Sequence, residues 1–382
     1  PSSRAQLPPG LYPDPLLPFI NQVTGKPIEP FRRHTVKWGD PVTTSGYQMW
    51  AVPFYVWKGQ NQPIWVDVYI PKNAAAGEYK GTFTVTMSPV TQVFGPVNDS
   101  IKNLTASIPV TLTVWDFTLP DGPTHRNHFG HFRNVARLFD VDINSDKFRE
   151  IEMNYCRMMA GHRINPPLPA SLLPQMNPDG SLKITPERDE ALKTFIKELN
   201  VTDFEIPRAP IRDMTTVNRD KALRYYRDYY NYVKKNGWDR QSYVYMLDEP
   251  NLKENYEEVL KLGAIVKEAA PELKRLVVEQ TYLQDPDWPD MDPAIDIWCP
   301  LFAFIDPVSI NEKIAQGDEV WSYTALSQRA PSYHPDYENV KNYDSPYWHF
   351  DALLTSYRTP TWMNYTCNIN GLLYWSVTTL SG

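Results

Sequence analysis

The chain has 382 residues, 42% of them hydrophobic, and a net charge of −7 with acids and bases interspersed. That is chain enough for more than one core, and the charge pattern offers no basic patch to a nucleic acid. The longest apolar runs are short, such as Gly371-Leu372-Leu373-Tyr374-Trp375, so no stretch spans a bilayer.

Residues 1–122 read as all-β. Pro63 to Pro71 alternates and is rich in β-formers, a turn follows at Ala76-Gly77-Glu78, and Tyr79 to Met87 alternates again. Ile108 to Trp115 is a third strand, and Val42 to Val56 adds strands too Pro-rich to place. Spaced strands with Pro, Gly and Asn turns predict a β-sandwich. The dense turn Leu119-Pro120-Asp121-Gly122-Pro123 marks its end.

From 123 to 382 strands alternate with helices. Phe129–Phe132 is a short strand, Ser145–Met159 a helix, and His162-Arg163-Ile164-Asn165 a strand end. A helix runs from Thr185 through Leu199, a strand from Val201 to Ile206, and a helix from Asn218 to Lys235 with Ala222, Tyr225, Tyr226, Tyr229, Tyr230 and Val233 as its buried stripe. Then come a strand at Tyr243–Asp248, a helix at Asn251–Ala270, and strands at Leu276–Gln280 and Ile295–Pro300. Ile310–Gln316 is helical, Glu319–Tyr323 a strand, Tyr347–Tyr357 a helix and Gly371–Trp375 the last strand. Close to eight β/α units in about 255 residues is the size of a (β/α)8 TIM-type barrel. A doubly wound sheet would need a Gly-rich phosphate loop at its first strand, and none is present. No cofactor is expected.

The stretch Tyr243-Val244-Tyr245-Met246-Leu247-Asp248-Glu249-Pro250 is a buried strand ending in two adjacent acids. Pro250 stops it, having no N–H for a ladder, and Asn251 with Glu254 reads as a capping box for the next helix. Barrel chemistry sits at the carboxyl ends of strands. The plain alternative is a pair of solvated loop acids. Closing the barrel would also bring His131, Arg133, His162, Asn165, Tyr282, Trp298, Trp321, Tyr323, Tyr374 and Trp375 to one mouth. Rings to stack and polar groups to read hydroxyls suit a sugar, although each aromatic alone is more often core.

Adjacent acids do not straddle a scissile bond as the paired carboxyls of conventional glycosidases do. They suit another division of labour, in which one acid protonates the leaving oxygen and the other holds a nucleophile belonging to the substrate, such as a 2-acetamido group.

Other totals add little. There are 36 Pro, 12 Trp, 23 Tyr and 15 Phe. The three cysteines, Cys156, Cys299 and Cys367, make neither a disulfide framework nor a zinc ribbon. The four N-x-S/T sequons, at Asn98, Asn103, Asn200 and Asn364, are near what chance supplies. Pro1-Ser2-Ser3-Arg4 lacks the apolar core of a signal peptide. His125, His128 and His131 invite a metal reading, but strand geometry would turn His128 away from the other two.

Trp65-Val66-Asp67-Val68-Tyr69-Ile70-Pro71, Gly77-Glu78-Tyr79-Lys80-Gly81, Leu247-Asp248-Glu249-Pro250 and Gly371-Leu372-Leu373-Tyr374-Trp375 resemble, in order and spacing, glycoside hydrolase family 123. The resemblance implies a sandwich before a barrel and secretion to the periplasm or exterior. It also implies a retaining β-N-acetylgalactosaminidase activity on glycans without metal or cofactor. In such enzymes the Asp of the pair orients the acetamido group and the Glu is the general acid/base, which gives Asp248 the first role and Glu249 the second. Glu249 must then start protonated, and Tyr323 or Tyr282 can donate to the acetamido oxygen. Fuller members carry a further β domain after the last strand. Two rivals stay open: a glycosidase of other specificity using Asp296 or Asp351, and a non-catalytic glycan-binding protein.

Overall fold

A computed structural model of the chain describes residues 61–87, 104–130, 132–133, 135–211, 215–325 and 357–379, with Trp348 and short pieces between residues 19 and 59. Two compact units divide at Pro120: Tyr12–Pro120, and Asp121–Gly382 with Pro1–Leu11.

In the first unit, β1 (Gly77–Met87) and β2 (Leu104–Val114) form an antiparallel hairpin in unbroken register, from Gly77 opposite Val114 to Met87 opposite Leu104. Thr and Val dominate both strands, as a pleated surface favours. Pro63–Pro71, expected as a strand, takes no ladder position. The described residues otherwise hold a two-residue pairing of Phe31–Arg32 with Gln48–Met49. They therefore show a hairpin and not the expected sandwich; most of Val42–Val56 lies outside them.

The second unit is an α/β barrel. Its elements are β3 (Arg126–His128), α1 (Asp146–Gly161), α2 (Pro186–Glu198), β4 (Phe204–Ile206), α3 (Thr216–Lys235), β5 (Ser242–Asp248), α4 (Lys253–Ala269), β6 (Lys274–Val278), β7 (Ile297–Trp298), α5 (Pro307–Gln316), β8 (Glu319–Thr324), α6 (Thr359–Thr366) and β9 (Gly371–Tyr374). The strands form one parallel seven-stranded sheet in the order β3-β9-β8-β7-β6-β5-β4. The helices begin where the sequence marks them. Ser145, Thr185 and Asp306 each accept a backbone N–H of the first turn of α1, α2 and α5.

The sheet's two free edges, β3 and β4, are joined by side chains rather than by a ladder. Asn165 lies between them. Its backbone N–H donates to Asn127 Oδ1 at 2.8 Å, and its Nδ2 donates to the Asn127 carbonyl at 3.1 Å and to Thr202 Oγ1 at 3.1 Å. Its Oδ1 accepts the Thr202 N–H at 2.9 Å. The 163–166 segment thus occupies the second stave of an eight-unit barrel while forming no regular strand. Arg126 spans the same gap, paired to Asp203 on one side and to Glu319 of β8 on the other.

Strand alternation sorts the core into two layers. Tyr243, Leu276, Ile297, Trp321 and Leu373 fill the barrel interior, with the Tyr243 and Trp321 rings edge-on at 5.2 Å. Val244, Met246, Val277 and Trp298 face the helices. The expected stripe of α3 is buried in full: Ala222, Tyr225, Tyr226, Tyr229, Tyr230 and Val233. Its phenols also fix the loop after β4, since Tyr225 donates to the Pro207 carbonyl at 3.1 Å and Tyr226 accepts the Ala209 N–H at 3.0 Å.

Three local expectations are corrected. Leu252, not Asn251, precedes α4, and no side-chain cap bond forms there, so the capping box is absent. Phe129–Phe132 is not the first stave, which lies just before it at β3; Phe132–Arg133 instead pairs with Thr378–Thr379. The helix expected at Tyr347–Tyr357 falls, apart from Trp348 and Tyr357, outside the described residues, and α6 follows it.

Candidate active site

Asp248 is the last residue of β5 and Glu249 follows it, at the carboxyl end of the barrel. Two backbone features aim the pair. The β5–β6 register shifts between Tyr245 and Leu247, leaving Met246 as an extra residue, and Asp248 then lies opposite Val278. Glu249 has φ +45°, the left-handed region that a non-glycine residue seldom occupies. Simple alternation would send the two side chains to opposite faces. Bulge and left-handed turn together bring both carboxyls to phenols of the barrel interior.

Tyr245 donates its hydroxyl to Asp248 Oδ1 at 2.8 Å. Tyr323, from β8, donates to Glu249 Oε1 at 2.5 Å. Burial pushes both phenols well above their ordinary ionisation range; the charge of Asp248 adds at Tyr245, and the hydrogen bond to Glu249 adds at Tyr323. Both therefore remain donors throughout the working range of pH. Each acid is exposed at the mouth yet has one oxygen anchored from below. Beneath Asp248, burial and that carboxylate push the Cys299 thiol far up, so it stays an inert core group.

Three further ionisable residues lie in the barrel, one of them, Glu279, next to Glu249. Glu279 follows the last residue of β6 and is 7% exposed. Burial pushes its carboxyl up to about 7, against an opposing hydrogen bond from the Gln280 amide, and Glu249 adds to the rise. Glu205 of β4 is also raised to about 7 by burial, with Arg208 opposing. His128 Nδ1 lies 2.7 Å from the Tyr243 hydroxyl, its ring 6.2 Å from that of Tyr245. A cavity of about 140 Å³ is lined by Asn127, His128, Phe129, Asn165, Glu205 and Pro207 among others, and not by Asp248, Glu249 or Glu279. It lies where the second stave is irregular.

The residues expected at the mouth divide. Tyr323 reaches it, and its hydroxyl is engaged by Glu249. Tyr374 ends β9 and packs with Phe129 and Trp348, ring centres 5.8 and 5.0 Å away. Trp375 follows it, half-buried. Tyr282 is 42% exposed beyond β6. Trp321 is wholly buried in the barrel interior. Trp298 faces the helices, donates Nε1 to Asp318 Oδ2 at 3.0 Å and carries Lys313 Nζ 4.7 Å over its ring. Asn165 is the stitch described above. His162 caps the carboxyl end of α1, which in a barrel of this topology is the end opposite the mouth. His131 lies outside the described residues, as does the side chain of Arg133. Asp296 holds Arg275 through two bonds of 2.6 Å and is not at the mouth. His125 Nε2 lies 3.0 Å from Asn364 Nδ2. No group of three or more His, Cys, Asp or Glu suited to a metal occurs among the described residues.

Sequence reasoning gave no site role to Tyr245, Glu205, Glu279 or Trp348, and weighed His128 only as a metal ligand. Glu279 had a usable signal, since it stands one residue beyond a strand end next to that of Asp248. The expected strand ran to Gln280 and hid it inside.

Comparison with known proteins bears on the first unit. A family model described as the glycoside hydrolase 123 N-terminal domain matches residues 21–87. Among solved structures, the chain is similar to a family 123 glycoside hydrolase from Clostridium perfringens, described for glycolipid glycan hydrolysis. Identity is 13% and the TM-score 0.49, over 80% of this chain and 57% of that one. It is also similar to an endo-1,4-β-mannanase from Rhizomucor miehei, at 8% identity and TM-score 0.36 over 68% of this chain and 88% of that one. The spore cortex-lytic enzyme SleL of Bacillus cereus gives 13% identity and TM-score 0.34 over 70% and 74%. No curated protein sequence matches. The chain spans a little over half the length of the family 123 structure, 57%. The resemblance to glycoside hydrolase family 123 is borne out by the match at residues 21–87.

Proposed function

We propose that the barrel is a retaining exo-glycosidase that removes terminal β-linked N-acetylhexosamine from glycans by substrate assistance, with β-N-acetylgalactosamine the first candidate sugar. The observation that carries this reading is the geometry of Asp248 and Glu249: neighbours in sequence, both at the strand ends, each anchored by one interior tyrosine. The relation to family 123 supports glycoside hydrolysis as the reaction class.

In this mechanism Glu249 donates its proton to the leaving glycosidic oxygen. Asp248, ionised, accepts the acetamido N–H and orients the group. The acetamido oxygen attacks the anomeric carbon as the leaving bond breaks, giving an oxazoline-type intermediate. Glu249, now a carboxylate, takes a proton from water, which opens the intermediate on the same face, with net retention. With the Tyr323 hydroxyl committed to Glu249, Tyr282 is the better placed of the two candidate donors to the acetamido oxygen. Phe129, Trp348 and Tyr374 supply ring surface at the rim for the sugar's apolar face.

A screen of aryl glycosides tests the reading. Turnover should appear with β-N-acetylgalactosaminide or β-N-acetylglucosaminide, and a thiazoline mimic of the oxazoline should inhibit tightly. Turnover confined to sugars lacking a 2-acetamido group would rule out substrate assistance.

A further inference from the structure

The cavity of about 140 Å³ beside β3 and β4 plays no part in the reaction proposed above, yet it joins two kinds of surface. Phe129, Pro166, Pro167 and Pro207 give it apolar walls. Two half-buried side chains add polar ends: His128, the last residue of β3, and Glu205 of β4. One water needs about 10–15 Å³, so the space has room for a larger guest.

Tyr243 stands between the two polar groups. It lies opposite Glu205 in the β4–β5 ladder, and its hydroxyl is 2.7 Å from His128 Nδ1. The phenol is wholly buried, and burial pushes its ionisation far up, so it keeps its proton and donates it to Nδ1. The neutral ring then carries its own proton on Nε2, on the side away from Tyr243. Burial raises Glu205 to about 7, so near neutrality both of its forms are present, and either pairs with a hydroxyl. Two links tie the cavity to the acid pair, which does not itself line it. The His128 ring centre lies 6.2 Å from that of Tyr245, whose hydroxyl holds Asp248. Phe129 also stacks on Trp348 of the rim, with ring centres 5.6 Å apart.

We propose that this cavity is a specificity pocket for the sugar being released: it receives a hydroxyl-bearing edge remote from the acetamido group, with His128 and Glu205 pairing with the hydroxyls and Phe129 and the prolines against C–H surface. The proposal rests on the glycosidase reading for its class of ligand. An acetyl methyl is the other group that a sugar held by Asp248 could send there. Two ionisable side chains in the lining disfavour a methyl and favour hydroxyls.

The test compares wild-type kcat/KM on the better of the two aryl β-N-acetylhexosaminides with its 4-deoxy and 6-deoxy analogues. At least one analogue should fall about 100-fold or more, because a pocket built to pair a hydroxyl is left with unpaired groups when that hydroxyl is missing. Glu205→Ala and His128→Gln should each shrink this ratio about 10-fold or more. Analogues cleaved as well as the parent would overturn the proposal, and so would a ratio unchanged in both variants. A crystal of the wild-type chain soaked in N-acetylgalactosamine needs neither turnover nor a variant. Ring or hydroxymethyl oxygens within hydrogen-bond distance of His128 and Glu205 are expected. A cavity without sugar, or with the acetyl group seated in it, would overturn the proposal. Turnover with such a result would spare the glycosidase reading. Absence of turnover with hydroxyls seated in the cavity would count against that reading and uphold the pocket.

Discussion

Tyr323 donates its hydroxyl to Glu249 at 2.5 Å from β8, three strands round the barrel from β5. That bond explains why a glutamate holds a left-handed backbone conformation, which costs of order 1–3 kcal/mol. A hydrogen bond contributes roughly 0.5–1.5 kcal/mol and can offset part of it.

Tyr323→Phe should therefore cost more activity than stability. With the anchor gone, kcat on an aryl β-N-acetylhexosaminide should fall about 10- to 100-fold, which corresponds to about 1.4–2.8 kcal/mol. Steady-state kinetics beside a thermal melt would check it. Unchanged kcat would mean that the bond does not position Glu249.

In the proposed mechanism, Asp248→Asn removes the charge assigned to orienting the acetamido group but keeps the side chain's shape. The loss in kcat should be smaller for a dinitrophenyl than for a methylumbelliferyl leaving group, because a good leaving group asks less help from the nucleophile. Equal losses on both would point to a purely structural role.

Glu205 gives a pH signature with a definite sign. Its carboxyl is raised to about 7 by burial, whereas an unfolded glutamate titrates near 4.5. Between those values the folded chain binds the proton more tightly, so stability falls as pH rises through the window and levels off above it. Glu205→Gln should raise Tm relative to wild type at pH 8 and leave the difference near zero at pH 4.5. Melts at the two pH values measure it, and an equal effect at both would refute the burial argument.

Gly371 lies under the Trp321 ring. A Cβ there would stand 2.3 Å from Trp321 Cγ, and Trp321 is wholly buried. Gly371→Ala should destabilise the barrel by about 1–3 kcal/mol, the usual cost of overpacking. Denaturant titration would show it as a lower midpoint at unchanged slope.

Much of the barrel was legible because long amphipathic helices and apolar strands carry their period in the sequence. The tyrosine stripe of α3 and the strand ending at Asp248 are examples. The second stave reads as a strand ending at Asn165, but its irregular form was not legible, because Asn165 closes the gap with amide bonds to Asn127 and Thr202, which leave no hydrophobic period. At the site, the acid pair stood out by its place at a strand end. Its aim did not, since the bulge at Met246 and the positive φ of Glu249 have no local signature of the Gly or Asn kind. Trp298 and Trp321 were expected at the mouth because they end or fill short strands; burial on one face or the other of the sheet decides, and a two-residue strand reveals neither.

The most direct measurement is kcat of wild type and Glu249→Gln on an aryl β-N-acetylgalactosaminide, with retention of fold confirmed by circular dichroism. General acid/base catalysis is typically worth 10²–10⁴-fold, so a fall of about that size is expected in the folded variant. A Glu249→Gln protein that turns over at the wild-type rate would contradict the assignment of the barrel mouth as the active site.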